Sequence, residues 1–116
     1  MILLDEKEGI EIVRFDSDHI NALNAGEIKA SLMRLFENPR TRVVIDLTGV
    51  SYLDSSAFAM FLHLQRISRA NYCVFRFCGL SEPVKKLFTT LNLHTYFEIC
   101  NDSDAGIESI KRGGPG

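Results

Sequence analysis

The chain is predicted to fold as an α/β domain. The expected form is a mixed sheet of four to five strands with about four helices, in the order β-β-α-β-α-β-α-β-α. Three observations carry this. Short β-branched or aromatic runs alternate with longer segments whose apolar residues recur every three to four positions. Val43-Val44-Ile45 is continuously apolar, as a strand covered on both faces would be. With 116 residues, 46% of them hydrophobic, the chain can bury one core without disulfides. Strands alternating with helices imply right-handed crossovers within one sheet.

Each element has its own signal. Ile2 to Leu4 is a short apolar start, Asp5-Glu6-Lys7-Glu8-Gly9 a turn, and Ile10, Ile12, Val13 and Phe15 a strand, so the opening reads as a hairpin. Asp16-Ser17-Asp18-His19 is a polar break. Asn24 followed by Glu27 has the spacing of a capping box, with Asn in place of Ser or Thr. Ile28, Leu32, Leu35 and Phe36 then share one helix face, and Asn38-Pro39 stops that helix. Asp46-Leu47-Thr48-Gly49 ends the strand at Val43 to Ile45. A second helix opens at Asp54-Ser55-Ser56 and runs to about Arg69, followed by a strand over Tyr72 to Cys78.

Ser81-Glu82-Pro83 combines a cap, a first-turn acid and a proline where no amide partner is needed. Val84, Leu87, Phe88 and Leu91 form the apolar face behind it. Tyr96 to Ile99 reads as a short strand. Asp102 or Ser103 caps a last helix through Ile107 and Ile110. One domain is expected over residues 1–112, with Gly113-Gly114-Pro115-Gly116 as a flexible tail.

Composition narrows the function. A net charge of −2, with Lys and Arg scattered, offers no basic field for nucleic acid or anionic lipid. The three cysteines form no CxxC pair, and their odd number argues for a reducing compartment. Met1 to Leu4 is cut short by Asp5, so no signal-peptide core is read there. No apolar run approaches the roughly 18 residues of a membrane span. A cytoplasmic protein is expected, with no nucleic-acid partner and no membrane insertion.

The chemistry concentrates in Tyr52-Leu53-Asp54-Ser55-Ser56-Ala57-Phe58-Ala59-Met60-Phe61-Leu62. Two hydroxyls and a carboxylate stand before a nearly all-apolar run. As a nucleophile, Ser55 needs a base in hydrogen-bond reach. His63 is the nearest histidine in sequence and would lie about 12 Å along the helix axis. The GxSxG elbow is absent as well. As a cap, any one of Asp54, Ser55 and Ser56 suffices. As a modification site, a hydroxyl at a helix N-terminus tolerates a phosphate, because free amides and the positive dipole end converge there. No metal and no cofactor are expected. The histidines and cysteines lack ligand spacing, and Cys73 and Cys78 fall on opposite faces of a strand. Gly49 and Gly79 stand alone, without a phosphate loop.

The same helix carries two apolar stripes. Ala57, Met60, Phe61 and Leu64 form one; Phe58 and Leu62, with Gln65 and Arg69, form the other. One must face the sheet. The second is either covered by neighbouring helices or left as a sticky surface beside the serines.

The segment VVIDLTGVSYLDSSAFAMFL resembles the signature of the STAS domain in its bacterial anti-sigma factor antagonist form. Ser81-Glu82-Pro83-Val84-Lys85-Lys86-Leu87-Phe88 resembles that family's Ser-Pro-x-Val-x-x-Leu-Phe helix. Ile20-Asn21-Ala22-Leu23-Asn24-Ala25 sits where the family often has Leu-Asp before a capped helix. The likeness covers nearly the whole chain. It implies a non-enzymatic protein without catalytic residues. Its partner would be an anti-sigma factor with a GHKL-type serine kinase domain. Unphosphorylated, it would capture that factor and release a sigma factor. Phosphorylation would end the complex, and a PP2C-type phosphatase would restore it.

The family's target serine corresponds to Ser55, with Ser56 the second choice. Asp54 would orient the loop and cap the helix, and Asn21 would touch the kinase from the rim. The implied partner-binding set is Asn21, Asp54, Ser55, Ser56, Phe58 and Leu62. Ala57 and Ala59 stand where the signature has glycines, Phe58 where it has leucine, and Asn21 where Asp is frequent. Two other functions fit the residues. One is a STAS scaffold or regulatory subunit in a non-transcriptional complex, in lipid transport, secretion or biofilm control. The other is a small-molecule or enzymatic domain, which needs convergent polar groups the sequence does not show.

Overall fold

A computed structural model describes residues 2–113. β1 (Ile2–Lys7) and β2 (Ile10–Phe15) pair antiparallel through the turn Glu8-Gly9. Both turn residues have positive φ, 57° and 78°, the twist that closes a two-residue hairpin. The other main strands, β4 (Arg42–Asp46), β6 (Val74–Cys78) and β7 (Ile99–Cys100), run parallel to β2 in the order β1-β2-β4-β6-β7. The sheet is mixed because only the hairpin's first strand reverses direction.

Period-2 geometry divides the central strands between two layers. Val43 and Ile45 of β4 join the larger core with α1 (Ala25–Phe36), α2 (Ser55–Ala70) and α3 (Glu82–Thr90). Val44 faces the other side, where α4 (Ser103–Lys111) covers it together with Ile10, Ile12 and Cys78. Gly106 lets α4 approach: a Cβ there would lie 3.2 Å from both Val44 methyl groups. In the larger layer Phe77 meets Phe61, Phe75, Phe88 and Phe97 edge to face, with centroids 4.9 to 5.6 Å apart. Cys73 lies in this layer and Cys78 in the other, as their spacing required.

Several elements differ from the sequence reading. β3 (His19–Ile20) and β5 (Tyr52–Leu53) form a separate two-residue parallel ladder. The polar break predicted over Asp16-Ser17-Asp18-His19 therefore ends in a strand residue, and the residues just before the second helix pair with it. The capping box at Asn24 does not form; its side chain accepts from the Asn21 amide and donates to the His19 carbonyl instead. The last strand is Ile99–Cys100, because Leu93–Thr95 coils into a 3-10 turn and delays entry to the sheet. Leu91 falls past the end of α3 and is exposed. Of the residues read as a tail, 114–116 lie outside the described residues.

Candidate functional site

The site begins where β4 ends. Asp46 is buried and accepts from Arg14 Nε at 3.2 Å, from the Thr48 amide at 3.0 Å and from Thr48 Oγ1 at 2.7 Å. Gly79 sits against this knot with φ +69°, and a Cβ would lie 2.3 Å from Thr48 Oγ1. Only glycine meets both demands. The chain leaves the sheet over this turn and reaches Asp18, whose carbonyl accepts from the Ser51 amide at 2.8 Å. The β3–β5 ladder then sets the direction in which Asp54 enters α2.

Asp54 is the cap of α2. Its backbone is extended, with φ −100° and ψ −175°. One carboxylate oxygen accepts from the amides of Ser56 and Ala57, at 2.9 and 3.2 Å. The Ala57 amide also reaches the Asp54 carbonyl at 3.1 Å, and the helix dipole adds attraction for the anion. The other oxygen accepts from the Ala22 amide at 3.2 Å. A single carboxylate therefore joins the helix mouth to the loop 21–24.

That loop is closed by its own side chains. Asn21 Oδ1 accepts from the Leu23 amide, and Asn24 Oδ1 accepts from the Asn21 amide, both at 2.9 Å. The Asn21 carbonyl receives the amides of Asn24 and Ala25. Such Asx bonding mimics a backbone turn and fixes the chain.

The serines now separate. Ser55 is the first residue of α2 and is exposed; its hydroxyl has no hydrogen-bond partner among the described residues. Ser56 is half-buried and lines a shallow groove between α1 and α2 with Ala25, Gly26, Lys29, Ala59 and Met60. Asn21 is half-buried, and its side-chain oxygen is engaged by Leu23. Leu62 is half-buried and packs on the main core.

Phe58 corrects the expected partner set. It is 7% exposed, and its ring meets Phe88 edge to face at 5.6 Å. Phe88 of α3 covers this end of the second stripe, so the Phe58 ring is packed inside and offers little surface to a partner. Sequence reading also missed Leu23, which is 95% exposed beside Asp54. The spacing Asn21-x-x-Asn24 was the available signal, since two Asx residues three apart describe a closed turn with an outward tip.

The groups at this end suit a surface event. Among the described residues, no set of His, Cys, Asp or Glu side chains is arranged to hold a metal. His19 is engaged with Asp18, 2.8 Å from its carboxylate, and that bond holds the Asp18 carboxyl below its ordinary range. No described helix is long and apolar enough to cross a membrane.

Fold and site together define a class: a small α/β domain with a mixed five-stranded sheet that displays a serine at a capped helix mouth. The model of the STAS domain matches residues 1–106, and the chain belongs to the STAS domain family. It is 33% identical over 100 residues to an anti-sigma-B factor antagonist of Listeria monocytogenes, covering 79% of this chain and 88% of that protein. The anti-sigma factor antagonist SpoIIAA in its unphosphorylated form superposes with a TM-score of 0.77 at 18% identity, over 97% of each chain. The phosphorylated form of SpoIIAA, a Bacillus cell fate determinant, gives 0.67 at 16% identity, over 97% of this chain and 98% of that one. These two likenesses bear on the fold.

Proposed function

We propose that this protein is an anti-sigma factor antagonist whose binding is switched off by phosphorylation of Ser55. Unphosphorylated, it captures an anti-sigma factor that carries a GHKL-type serine kinase domain, and so releases a sigma factor. A PP2C-type phosphatase returns the protein to the binding form. The protein acts as a regulator rather than as an enzyme.

One observation carries the reading. Asp54 already caps α2, so Ser55 stands at the helix mouth with an exposed hydroxyl and no structural task. A phosphate there would add about −1.5 to −2 charge at neutral pH. The positive end of the helix dipole tolerates it, so the fold persists while the surface changes sign. The matched anti-sigma-B factor antagonist of Listeria monocytogenes, and a SpoIIAA known in both phosphorylation states, support the same reading. Ser56 is the weaker acceptor, because it is half-buried in the groove beside α1.

The test is peptide mass spectrometry of the protein purified from its own host, followed by titration against the host's GHKL-type anti-sigma factors. Phosphate on Ser55, with Ser55→Ala binding constitutively and Ser55→Asp not binding, is the expected result. Wild-type binding by both variants would place the switch elsewhere.

A further inference from the structure

We propose that Leu23 is the apolar anchor through which the anti-sigma factor holds this protein. The inference rests on the antagonist reading above and names a residue that neither the motif nor the capped serine identifies. Leu23 is 95% exposed, against 47 to 76% for the other exposed large apolar side chains. A leucine on a loose loop would fold down onto nearby apolar surface. This one is held away from the body because its backbone is fixed on both sides. Its own amide donates to Asn21 Oδ1, the preceding Ala22 amide donates to Asp54 Oδ2, and the following Asn24 amide donates to the Asn21 carbonyl.

The loop's polar side chains are also committed inward. Asn21 serves Leu23, and Asn24 serves the Asn21 amide and the His19 carbonyl. What the loop offers outward is the isobutyl group of Leu23 and the methyl of Ala22. A pre-ordered apolar knob loses little conformational freedom on docking, which is the property of an interface anchor.

Position links the knob to the switch. The amides of Ala22 and Ser56 bond the two oxygens of the same carboxylate, and Ser55 lies between Asp54 and Ser56 in the chain, so Leu23 and the phosphate acceptor belong to one structural unit. The groove of Ala25, Gly26, Ser56, Ala59 and Met60 adjoins that unit, with Lys29 in its lining. Gly26 and Ala59 allow close approach, and Lys29 adds a positive charge. The matching partner surface is an apolar pocket for one leucine side chain, edged by an acidic group. Charge added at Ser55 would then fall inside the footprint.

The experiment titrates the host's GHKL-type anti-sigma factors, purified with ADP, against wild type, Leu23→Ala, Leu23→Met and Ser55→Asp by isothermal calorimetry. Thermal unfolding of each variant runs alongside. Leu23→Ala is expected to weaken binding by about tenfold or more. Leu23→Met should stay within about threefold of wild type. Both should melt with wild type, since the side chain is bare. Wild-type affinity for Leu23→Ala, with Ser55→Asp unable to bind, would overturn the anchor and leave the switch standing. Failure of wild type to bind any of these factors would overturn the antagonist reading and the anchor with it.

Discussion

The carboxylate of Asp54 and the amide of Ala22 meet at 3.2 Å across 32 residues of sequence, while the other Asp54 oxygen caps α2. The helix mouth and the loop that carries Leu23 are thereby one structural unit. Asp54→Ala removes the cap bonds and the loop bond together. Loss of an N-cap costs about 0.5–2 kcal/mol, and the exposed bond from the Ala22 amide to the same carboxylate contributes about 1 kcal/mol more. The variant should melt roughly 4–12 °C below wild type. Asp54→Asn keeps an acceptor at the cap and should lose less than half of that. Differential scanning calorimetry of the two variants checks the order.

Gly79→Ala is expected to be much worse than its size implies. The residue has φ +69°, where a Cβ alone costs about 1–2 kcal/mol. The added carbon would also lie 2.4 Å from Asp46 Oδ1 and 2.3 Å from Thr48 Oγ1. Gly26→Ala meets nothing within 4 Å in α1 and should instead stabilise by roughly 0.5–1 kcal/mol. Opposite shifts of the urea midpoint are the expected outcome, and equal shifts would contradict this account of Gly79.

Phe77 is the centre of the aromatic cluster and is fully buried between four other rings. Phe77→Ala should destabilise by about 3–5 kcal/mol. Phe77→Leu keeps most of the volume and should lose less. Equilibrium unfolding in urea measures both.

The residues that could be read in advance are those whose signal is local. Val43-Val44-Ile45 announces a strand covered on two faces, and Ser81-Glu82-Pro83 announces a helix start; both signals lie within a few consecutive residues. Asp54-Ser55-Ser56 announces a cap as well, though not which residue supplies it. What stayed hidden depends on distant partners. Whether the stripe of Phe58 is covered or exposed cannot be read from its own segment, and the contact with Phe88 of α3 decides it. His19-Ile20 and Tyr52-Leu53 are too short to show a period and become strands only by pairing with each other. Asn21-x-x-Asn24 signals the closed turn that carries Leu23, but the 95% exposure of the side chain is decided by the fold.

Cys78 gives a pH signature. Burial pushes its thiol up to about 12, and the nearby Asp46 carboxylate adds to the shift. In the unfolded chain the thiol ionises near pH 9. Between these values the unfolded state has lost a proton that the folded state retains, so stability falls as pH rises from about 9 to 12. The slope contributed is at most about 1.4 kcal/mol per pH unit. Cys78→Ala should flatten the decline in this window, at the expense of a small cavity beside α4. The same protonated, buried thiol should resist iodoacetamide at pH 8 in the native protein and react once unfolded.

Ser55→Asp separates loss of binding from loss of fold. The first turn of α2 has no acidic residue within it, and Ser55 is its first residue. An acidic side chain there interacts favourably with the N-terminal dipole, by about 0.3–1 kcal/mol. The serine hydroxyl it replaces has no hydrogen bond to lose. The repulsion to set against this comes from Asp54, which is neutralised in part by three backbone amides. The variant should therefore melt at or slightly above the wild-type temperature. Ser56→Asp places its charge in the half-buried groove against Ala25, Gly26 and Met60 and should melt lower, by an amount that Lys29 limits. Thermal unfolding at low and high salt reads both effects, since the dipole gain at Ser55 is screened and the burial loss at Ser56 is not. A Ser55→Asp protein that melts well below wild type would mean that the mouth of α2 does not tolerate charge, and the switch would then act through the fold itself.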